Sequence, residues 1–91
     1  MTARRWRLAV AASAERTLAR LPEKAAAAVV EFMLGVLCES PKRVGHTSGR
    51  ELAGSWSARR GPYRIVYELD EKERQVQVLR IEHRADVYRR R

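Results

Sequence analysis

The sequence predicts an α+β domain in which a helical hairpin packs on one face of a small, mainly antiparallel sheet. Three observations support this prediction. The first half of the chain carries an apolar stripe at helical spacing, the second half alternates apolar and polar residues as strands do, and prolines separate the elements. Because the chain has 91 residues, of which 45% are hydrophobic, we expect residues 1–91 to form one domain with one modest core.

The N-terminal part predicts one strand followed by two helices, the start of a βααβββ order. Residues 6–11 are expected to form the strand, and Ser13 suits the N-cap of a helix over residues 14–21. Pro22 separates this helix from a second one, which ends before Pro41. Two helices joined this closely form an antiparallel hairpin. The amphipathic stripe of the second helix consists of Val29, Phe32, Met33, Val36 and Leu37.

Three strands are predicted after a polar loop over residues 41–49. The first covers residues 51–59, and the second, over residues 63–70, has the clearest alternation. A charged turn leads to the third, residues 75–82, which is rich in Val, Leu and Ile on both faces. We therefore expect this last strand to be central and covered on both sides. A short, basic C-terminal tail follows it.

The chain is strongly basic, with a net charge of +8. A basic balance favours a polyanionic partner. Of the 19 basic residues, 16 are arginines, whose planar forks bind phosphate in a bidentate way and stack on bases, so the bias points to nucleic acid. High-GC coding would also enrich arginine. Two basic blocks, residues 42–64 and residues 84–91, flank the predicted sheet and can converge on one face.

Cysteine content and hydropathy favour a cytoplasmic protein. Cys38 is the single cysteine, so no internal disulfide forms, a reducing compartment fits, and we expect the side chain to be a small buried hydrophobe. The apolar run over residues 25–38 is interrupted by Glu31 and is shorter than the roughly 20 residues that cross a bilayer, so no membrane partner is expected. His46 has no second ligand nearby, so no metal site is expected.

Strand parity places two arginines opposite each other. Because Trp56 and Ile65 are expected to face the core, Arg59 and Arg64 lie on the other face. A loop symmetric about residues 61–62 pairs Arg59 with Arg64 whether the loop has two or four residues. Proline at the second loop position is disfavoured in common tight turns, so we expect the four-residue loop. Like charges facing each other destabilise a ladder. The pair is therefore either an anion site or a solvated pair screened by salt, and the second basic block favours the anion site.

Three stretches carry a family resemblance: AERTLARLP, ELAGSWSARRGPYRIVYELDE and VLRIEHRADVYRR. In them the chain resembles the RelE/ParE superfamily of bacterial toxins, and within it the RelE branch. The resemblance covers nearly the whole chain, and its second and third stretches are the more specific. It implies a RelE-like fold and a messenger-RNA interferase, which enters the ribosomal A site, cuts the message and so inhibits translation.

The resemblance also implies a site on and after the hairpin strands. Its candidate catalytic residues are Arg59, Arg64, His83, Arg84 and Tyr88. Further contacts with RNA and the ribosome are expected from Lys42, Arg43, Arg50, Arg60, Arg89 and Arg90. Ser57 departs from the family pattern, because several relatives carry another basic residue there, and this puts full turnover and ribosome affinity in doubt.

RNA can be cut without a metal or other cofactor when a 2′-hydroxyl attacks the neighbouring phosphate and the 5′-oxygen leaves. Such a site supplies a proton acceptor, charge stabilisation on the phosphate and a proton donor. Arg64 and Arg84 are expected to stabilise the developing charge, and Arg59 to orient the phosphate. Tyr88 would stack on a base or exchange a proton, and His83 is the simplest proton acceptor. Alternatively, His83 ends a strand with a backbone hydrogen bond.

The implied partners are messenger RNA, ribosomal RNA at the A site and a RelB-like antitoxin with an acidic, amphipathic segment. The toxin–antitoxin complex is expected to bind its operator DNA through the antitoxin. Two other hypotheses remain: a ParE-like toxin that binds DNA gyrase and cuts nothing, and a catalytically inactive binding or repressor module. Tyr88 favours the ribonuclease over the ParE-like toxin, whereas Ser57 supports the inactive module.

Overall fold

The computed structural model of the chain describes residues 5–47 and 55–85. Within these ranges the strands are Arg7–Val10 (β1), His46–Thr47 (β2), Ser55–Arg60 (β3), Tyr63–Asp70 (β4) and Gln75–His83 (β5). They form one sheet in the order β1-β5-β4-β3-β2. β1 runs parallel to β5 and the other neighbours are antiparallel, which confirms the predicted class. The short β2 lies in the segment that was expected to be a loop.

The helices are Ala12–Arg20 (α1), Glu23–Phe32 (α2) and Pro41–Val44 (α3), and a π-helical turn over Met33–Leu37 continues α2. The predicted N-cap is wrong, because Ala11 occupies that position without a side-chain hydrogen bond. The Ser13 hydroxyl instead donates to the Leu79 carbonyl oxygen at 2.9 Å and so ties α1 to β5. No helix in the described ranges is long and apolar enough to cross a membrane.

The π-helical turn displaces the apolar stripe of the second helix. Val29, Met33 and Leu37 are buried, as predicted, and so is Cys38. Val36 was expected beside them but is 48% exposed. A π-turn takes in more residues than an α-turn, so the side chains in it rotate away from the positions that a 3.6-residue period predicts. The stripe prediction is therefore wrong at Val36.

The core lies between the helices and one face of the sheet, and Tyr67 is at its centre. The Tyr67 side chain is fully buried, and its hydroxyl donates to the Pro41 carbonyl oxygen at 2.7 Å. Burial raises the pKa of Tyr67 to about 12. Gly45 is required beside this hydrogen bond, since a Cβ there would overlap the Tyr67 hydroxyl and approach the Ser57 carbonyl oxygen to 2.9 Å. The segment between α3 and β2 is thus fixed against the sheet by close packing.

A β-bulge interrupts the ladder between β4 and β5. Tyr67 pairs with Val78, whereas Val66 pairs with Arg80. Leu79 is therefore the extra residue on β5 and has no counterpart on β4. From the bulge onward, each β5 residue faces the side of the sheet opposite to the one that regular alternation would give it.

This bulge explains why β5 is apolar at positions of both parities. Val76, Val78 and Ile81 are all buried in the same core, although a regular strand would turn Ile81 to the other face. The opposite face carries the half-buried Gln77 and the exposed Arg80. β5 is internal in the sheet, as predicted, but the expectation that it is covered on both sides is wrong.

The hairpin between β3 and β4 has a two-residue loop of Gly61 and Pro62, because Arg60 and Tyr63 form the last pair. Gly61 has a φ of +62° and is followed by the fixed negative φ of proline, the pattern of a type II′ turn. The predicted four-residue loop is wrong, since glycine adopts the positive φ that lets proline occupy the second position. The pairing of Arg59 with Arg64 is nevertheless as predicted, because loops of two and of four residues centred on residues 61–62 give the same register.

Candidate nucleic-acid interface

The face of the sheet opposite the helices carries a group of charged side chains. Arg59 on β3 pairs with Arg64 on β4, as predicted, and Arg64 pairs in turn with Glu82 on β5. These three residues form one row across the sheet. Arg80, two residues before Glu82, lies on the same face and contacts it. We call Arg59, Arg64, Arg80 and Glu82 the polar-face cluster.

Glu82 draws two arginines of the cluster together. Its Oε1 accepts hydrogen bonds from Arg64 Nε at 3.3 Å and from Arg64 Nη2 at 3.1 Å. Its Oε2 accepts one from Arg80 Nε at 2.8 Å. The side chains of Arg64 and Arg80 remain 43% and 50% exposed, whereas that of Glu82 is 23% exposed. Two guanidinium groups therefore converge on one small anionic group at an accessible surface.

These arginines keep Glu82 ionised. Burial alone would raise the pKa of Glu82, but the hydrogen bonds and positive charges of Arg80 and Arg64 outweigh burial and hold the pKa below its ordinary value. Glu82 is therefore a carboxylate at neutral pH and relieves the repulsion expected between Arg59 and Arg64. Three guanidinium groups and one carboxylate leave the polar-face cluster positively charged, which suits an anionic ligand.

Neither Glu82 nor Arg80 is among the site residues predicted from the sequence. A regular ladder continued from the pair of Tyr67 and Val78 would place Ile81 opposite Arg64, and only the bulge brings Glu82 there. The signal in the sequence was the broken alternation of β5, where apolar residues at 76 and 78 are followed by one at 81. This pattern was interpreted as burial on both faces rather than as a bulge.

His83 lies on the other side of the sheet from the polar-face cluster. It pairs with Tyr63, and the two rings meet edge to face with centroids 5.0 Å apart. Its Nδ1 accepts a hydrogen bond from the Ala85 backbone N–H at 2.9 Å. This hydrogen bond holds Nδ1 toward the backbone at the end of β5. The structure thus separates His83 from Arg59 and Arg64, which lie on the opposite face of the sheet.

Arg84 and Arg60 lie at the same end of the sheet as Arg59 and Arg64. The Arg84 backbone N–H donates to the Pro62 carbonyl oxygen at 2.8 Å, which fixes the end of β5 beside the β3–β4 loop. Both side chains are exposed. Arg60 belongs to the helix side, where it lines a shallow groove of about 260 Å³ between α2 and the loop. This end of the sheet therefore presents arginines on both faces.

Lys42 and Arg43 lie at the other end of the sheet. The Lys42 ammonium nitrogen is 2.7 Å from Glu71 Oε2, in the turn that follows β4. Arg43 is the next residue of α3 and is exposed. The length of β4 separates this end from Arg64 by roughly 20 Å at the usual rise of a strand. The expected convergence of the two basic blocks on one face is therefore wrong for these two residues.

Ser57 lies on the polar face, in the same row across the sheet as Arg80 and next to the row of Arg59, Arg64 and Glu82. It pairs with Val66 on β4 and with His46 on β2. A small neutral side chain thus lies where the family resemblance led us to expect a base. Four predicted contacts lie outside the described residues: Arg50, Tyr88, Arg89 and Arg90. Residues 51–54 of the predicted second strand also lie outside them.

Solved structures share this architecture. The toxin–antitoxin complex RelBE2 from Mycobacterium tuberculosis contains a chain that matches with a TM-score of 0.84 and 45% sequence identity, over 88% of this chain and 99% of that one. A chain of the intact RelBE toxin–antitoxin complex from E. coli matches with a TM-score of 0.69 and 18% identity, over 86% of this chain and 95% of that one. Helices packed on a five-stranded sheet are thus the fold of the RelE toxins.

Sequence comparison places the chain within one family. The pattern described as the ParE toxin of the type II toxin–antitoxin system parDE matches residues 3–88. Over 78 residues the chain is 53% identical to Toxin RelG from Mycobacterium tuberculosis, which covers 86% of this chain and 90% of the relative. Over 84 residues it is 45% identical to Toxin RelE from the same organism, covering 92% and 87%. The chain belongs to the RelE/ParE family of toxins from type II toxin–antitoxin systems.

Proposed function

We propose that this toxin is a ribosome-dependent endoribonuclease that cuts messenger RNA in the A site and so inhibits translation. The observation that carries the proposal is the convergence of Arg64 and Arg80 on one carboxylate, with Arg59 beside them. Guanidinium forks recognise carboxylate and phosphate oxygens with the same bidentate geometry. An RNA phosphate that displaces the Glu82 carboxylate from Arg64 therefore finds matching donors on an accessible surface.

The reaction is attack of a 2′-hydroxyl on the adjacent phosphate with departure of the 5′-oxygen, and it requires no metal. Arg64 and Arg84 stabilise the charge that develops on the phosphate, and Arg59 orients it. Tyr88 follows β5 in the sequence and is the candidate for stacking on a base or donating a proton to the leaving oxygen. The reaction takes place in the cytoplasm, on translating ribosomes.

The remaining basic residues bind ribosomal RNA rather than the cleaved bond. Lys42 and Arg43 stand at the far end of the sheet from the polar-face cluster, so they can contact a second stretch of phosphate backbone. Arg60 presents its charge beside the hairpin loop. Arg50, Arg89 and Arg90 belong to the same basic set in the sequence. Contacts of this kind contribute affinity without sequence preference and weaken as salt rises.

A RelB-like antitoxin is the proposed inhibitor. Several of the matched solved structures are toxin–antitoxin complexes, among them RelBE2 and the E. coli RelBE complex. An antitoxin with an acidic, amphipathic segment would complement a chain of net charge +8 and cover the polar-face cluster. The complex binds its operator DNA through the antitoxin. Excess antitoxin is expected to abolish cleavage, and persistence of cleavage in the saturated complex would contradict this inhibition.

A second candidate function is inhibition of DNA gyrase without cleavage. It is favoured by the ParE description of the family pattern that matches residues 3–88. On this hypothesis the arginines of the polar-face cluster bind a protein partner rather than a phosphate.

The test is cleavage of a message in a cell-free translation reaction, with the cut ends mapped by primer extension. We expect cuts within codons in the presence of translating ribosomes and none without ribosomes. Intact message would reject the ribonuclease, and inhibition of gyrase supercoiling by the same preparation would then support the second candidate.

A further inference from the structure

Attack by a 2′-hydroxyl needs a proton acceptor, and the described residues offer few near the polar-face cluster. His83 faces the helices and its Nδ1 already accepts a hydrogen bond. His46 is on β2, two strands away from Arg64 in the sheet, or about 10 Å at the usual strand spacing. Glu68 is on the same strand as Arg64, about 13 Å further along it. Glu82 lies directly opposite Arg64.

The two carboxylate oxygens of Glu82 have different partners. Oε2 accepts the shorter hydrogen bond, 2.8 Å from Arg80 Nε, and this arginine comes from the same strand. Oε1 accepts two longer ones, 3.1 and 3.3 Å from Arg64. Arg64 is therefore the partner that an incoming anion can draw away, while Arg80 keeps the carboxylate in place.

We propose that Glu82 is the proton acceptor of the cleavage reaction, and that Arg64 exchanges this carboxylate for the scissile phosphate when RNA binds. The inference rests on the proposed function. In the free protein, Glu82 occupies the anion position between the two arginines. In the complex, the phosphate takes the Arg64 fork, Oε1 is freed toward the nucleotide, and Oε2 stays bonded to Arg80.

The step balances without any further reagent except water. Oε1 takes the proton of the 2′-hydroxyl as the bond from the 2′-oxygen to phosphorus forms. The bond from phosphorus to the 5′-oxygen breaks, and the leaving oxygen takes a proton from a water molecule. Glu82 returns its proton to the resulting hydroxide or to solvent. The products are a 2′,3′-cyclic phosphate and a 5′-hydroxyl end.

The exchange also makes Glu82 a stronger base at the moment when it is needed. The hydrogen bonds and charges of Arg80 and Arg64 lower the pKa of Glu82 in the free protein. When Arg64 turns to the phosphate, its part of this effect is lost and the affinity of Oε1 for a proton rises. Among the described residues, the charged groups facing Glu82 are Arg64 from β4 and Arg80 from β5, and β1 pairs only with residues 75–78.

The test compares Glu82→Gln with Glu68→Gln in single-turnover cleavage of a ribosome-bound message. Glu68 lies on the same sheet face, so the control loses the same charge there. We expect Glu82→Gln to lower the cleavage rate about 100-fold or more, the range of general-base catalysis, and Glu68→Gln to leave it unchanged. A message with a 2′-deoxy nucleotide at the cut position cannot be cleaved and reports binding alone. Glu82→Gln should bind this message as tightly as the wild type or more tightly, because the Glu82 carboxylate no longer competes for Arg64.

The pH dependence of the rate separates a proton acceptor from a merely structural glutamate. The wild-type rate should rise with pH on the acid side, Glu82→Gln should lose that slope, and Glu82→Asp should keep it at a displaced pH. A Glu82→Gln variant that cleaves at close to the wild-type rate overturns the assignment, as does one that is slow but keeps the acid-side slope. If Glu82→Gln does not fold, Glu82→Asp provides the test. An acid-side rise in its cleavage rate at the same pH as in the wild type overturns the assignment of Glu82 as proton acceptor. Absence of cleavage by the wild type would instead reject the proposed function itself.

Discussion

Arg64 and Glu82 face each other across β4 and β5 only because a bulge at Leu79 advances the ladder by one residue. In a regular hairpin Ile81 would stand opposite Arg64, and Glu82 would turn toward the helices. Bulges are common beside functional sites because they re-aim side chains. Here the bulge sets the charge of the polar face, since it replaces an apolar neighbour of Arg64 by a carboxylate.

Replacement of Arg64 by alanine is expected to lower message cleavage by about 10²–10³-fold, the usual cost of removing one group that stabilises transition-state charge. The unfolding free energy should fall by no more than about 1 kcal/mol, because the ion pair with Glu82 is largely solvent-accessible. Arg20→Ala, an exposed arginine in the last turn of α1, is the matched control. Equal cleavage by both variants would show that Arg64 has no part in the reaction.

Replacement of His83 by asparagine is expected to leave the cleavage rate near that of the wild type. The asparagine Oδ1 can accept from the Ala85 N–H as Nδ1 does, and only the ring contact with Tyr63 is lost. His83→Ala loses both contacts and should be the less stable of the two. Thermal unfolding and cleavage are measured on both variants. A fully folded His83→Asn variant without cleavage would return His83 to the list of catalytic candidates.

The contact between Gly45 and Tyr67 predicts coupling between two substitutions. Tyr67→Phe leaves the buried Pro41 carbonyl without its hydroxyl donor, at a cost of about 1–3 kcal/mol. Gly45→Ala destabilises because its Cβ overlaps that hydroxyl. In the Tyr67→Phe background the overlap with the hydroxyl is gone, so Gly45→Ala should cost less there. A double-mutant cycle by urea denaturation measures this difference, and additive effects would contradict the packing described.

The lowered pKa of Glu82 predicts a loss of stability in acid. A carboxyl whose pKa is lower in the folded than in the unfolded chain stabilises the fold above its ordinary value of 4.5, and this contribution disappears as the pH falls through the folded value. Glu82→Gln should therefore lose less unfolding free energy than the wild type between about pH 6 and about pH 3. Urea denaturation across this range, with Glu68→Gln as the charge-matched control, checks the sign.

Local patterns were sufficient for the order of the elements and for the opposition of Arg59 and Arg64. Alternation in β4 fixed which residues face the core, and any loop symmetric about Gly61 and Pro62 gives the same register. The face on which a strand residue lies and the register of a hairpin both depend on residues that are close in sequence. The spacing of apolar residues is therefore enough to predict them.

Two features were not predicted from the sequence, and each inserts an extra residue into the regular repeat of a helix or a strand. The π-helical turn moves Val36 out of the core, and the bulge at Leu79 moves Glu82 into the row of Arg64. The bulged residue also takes part in a contact between distant segments, since the Leu79 carbonyl accepts a hydrogen bond from Ser13. A site that depends on such a shift is visible only once the strands are paired.

The position of β5 in the sheet links folding to the appearance of the polar-face cluster. β5 comes last among the strands described, yet it lies between β1 and β4. Until it inserts, β1 has no partner in the sheet and β4 has a bare edge, and Arg64 has neither Glu82 nor Arg80 beside it. During synthesis, a nascent chain without β5 therefore has an incomplete sheet and lacks the polar-face cluster. Pairing of β5 with its two neighbours supplies the central strand, Arg80 and Glu82 together.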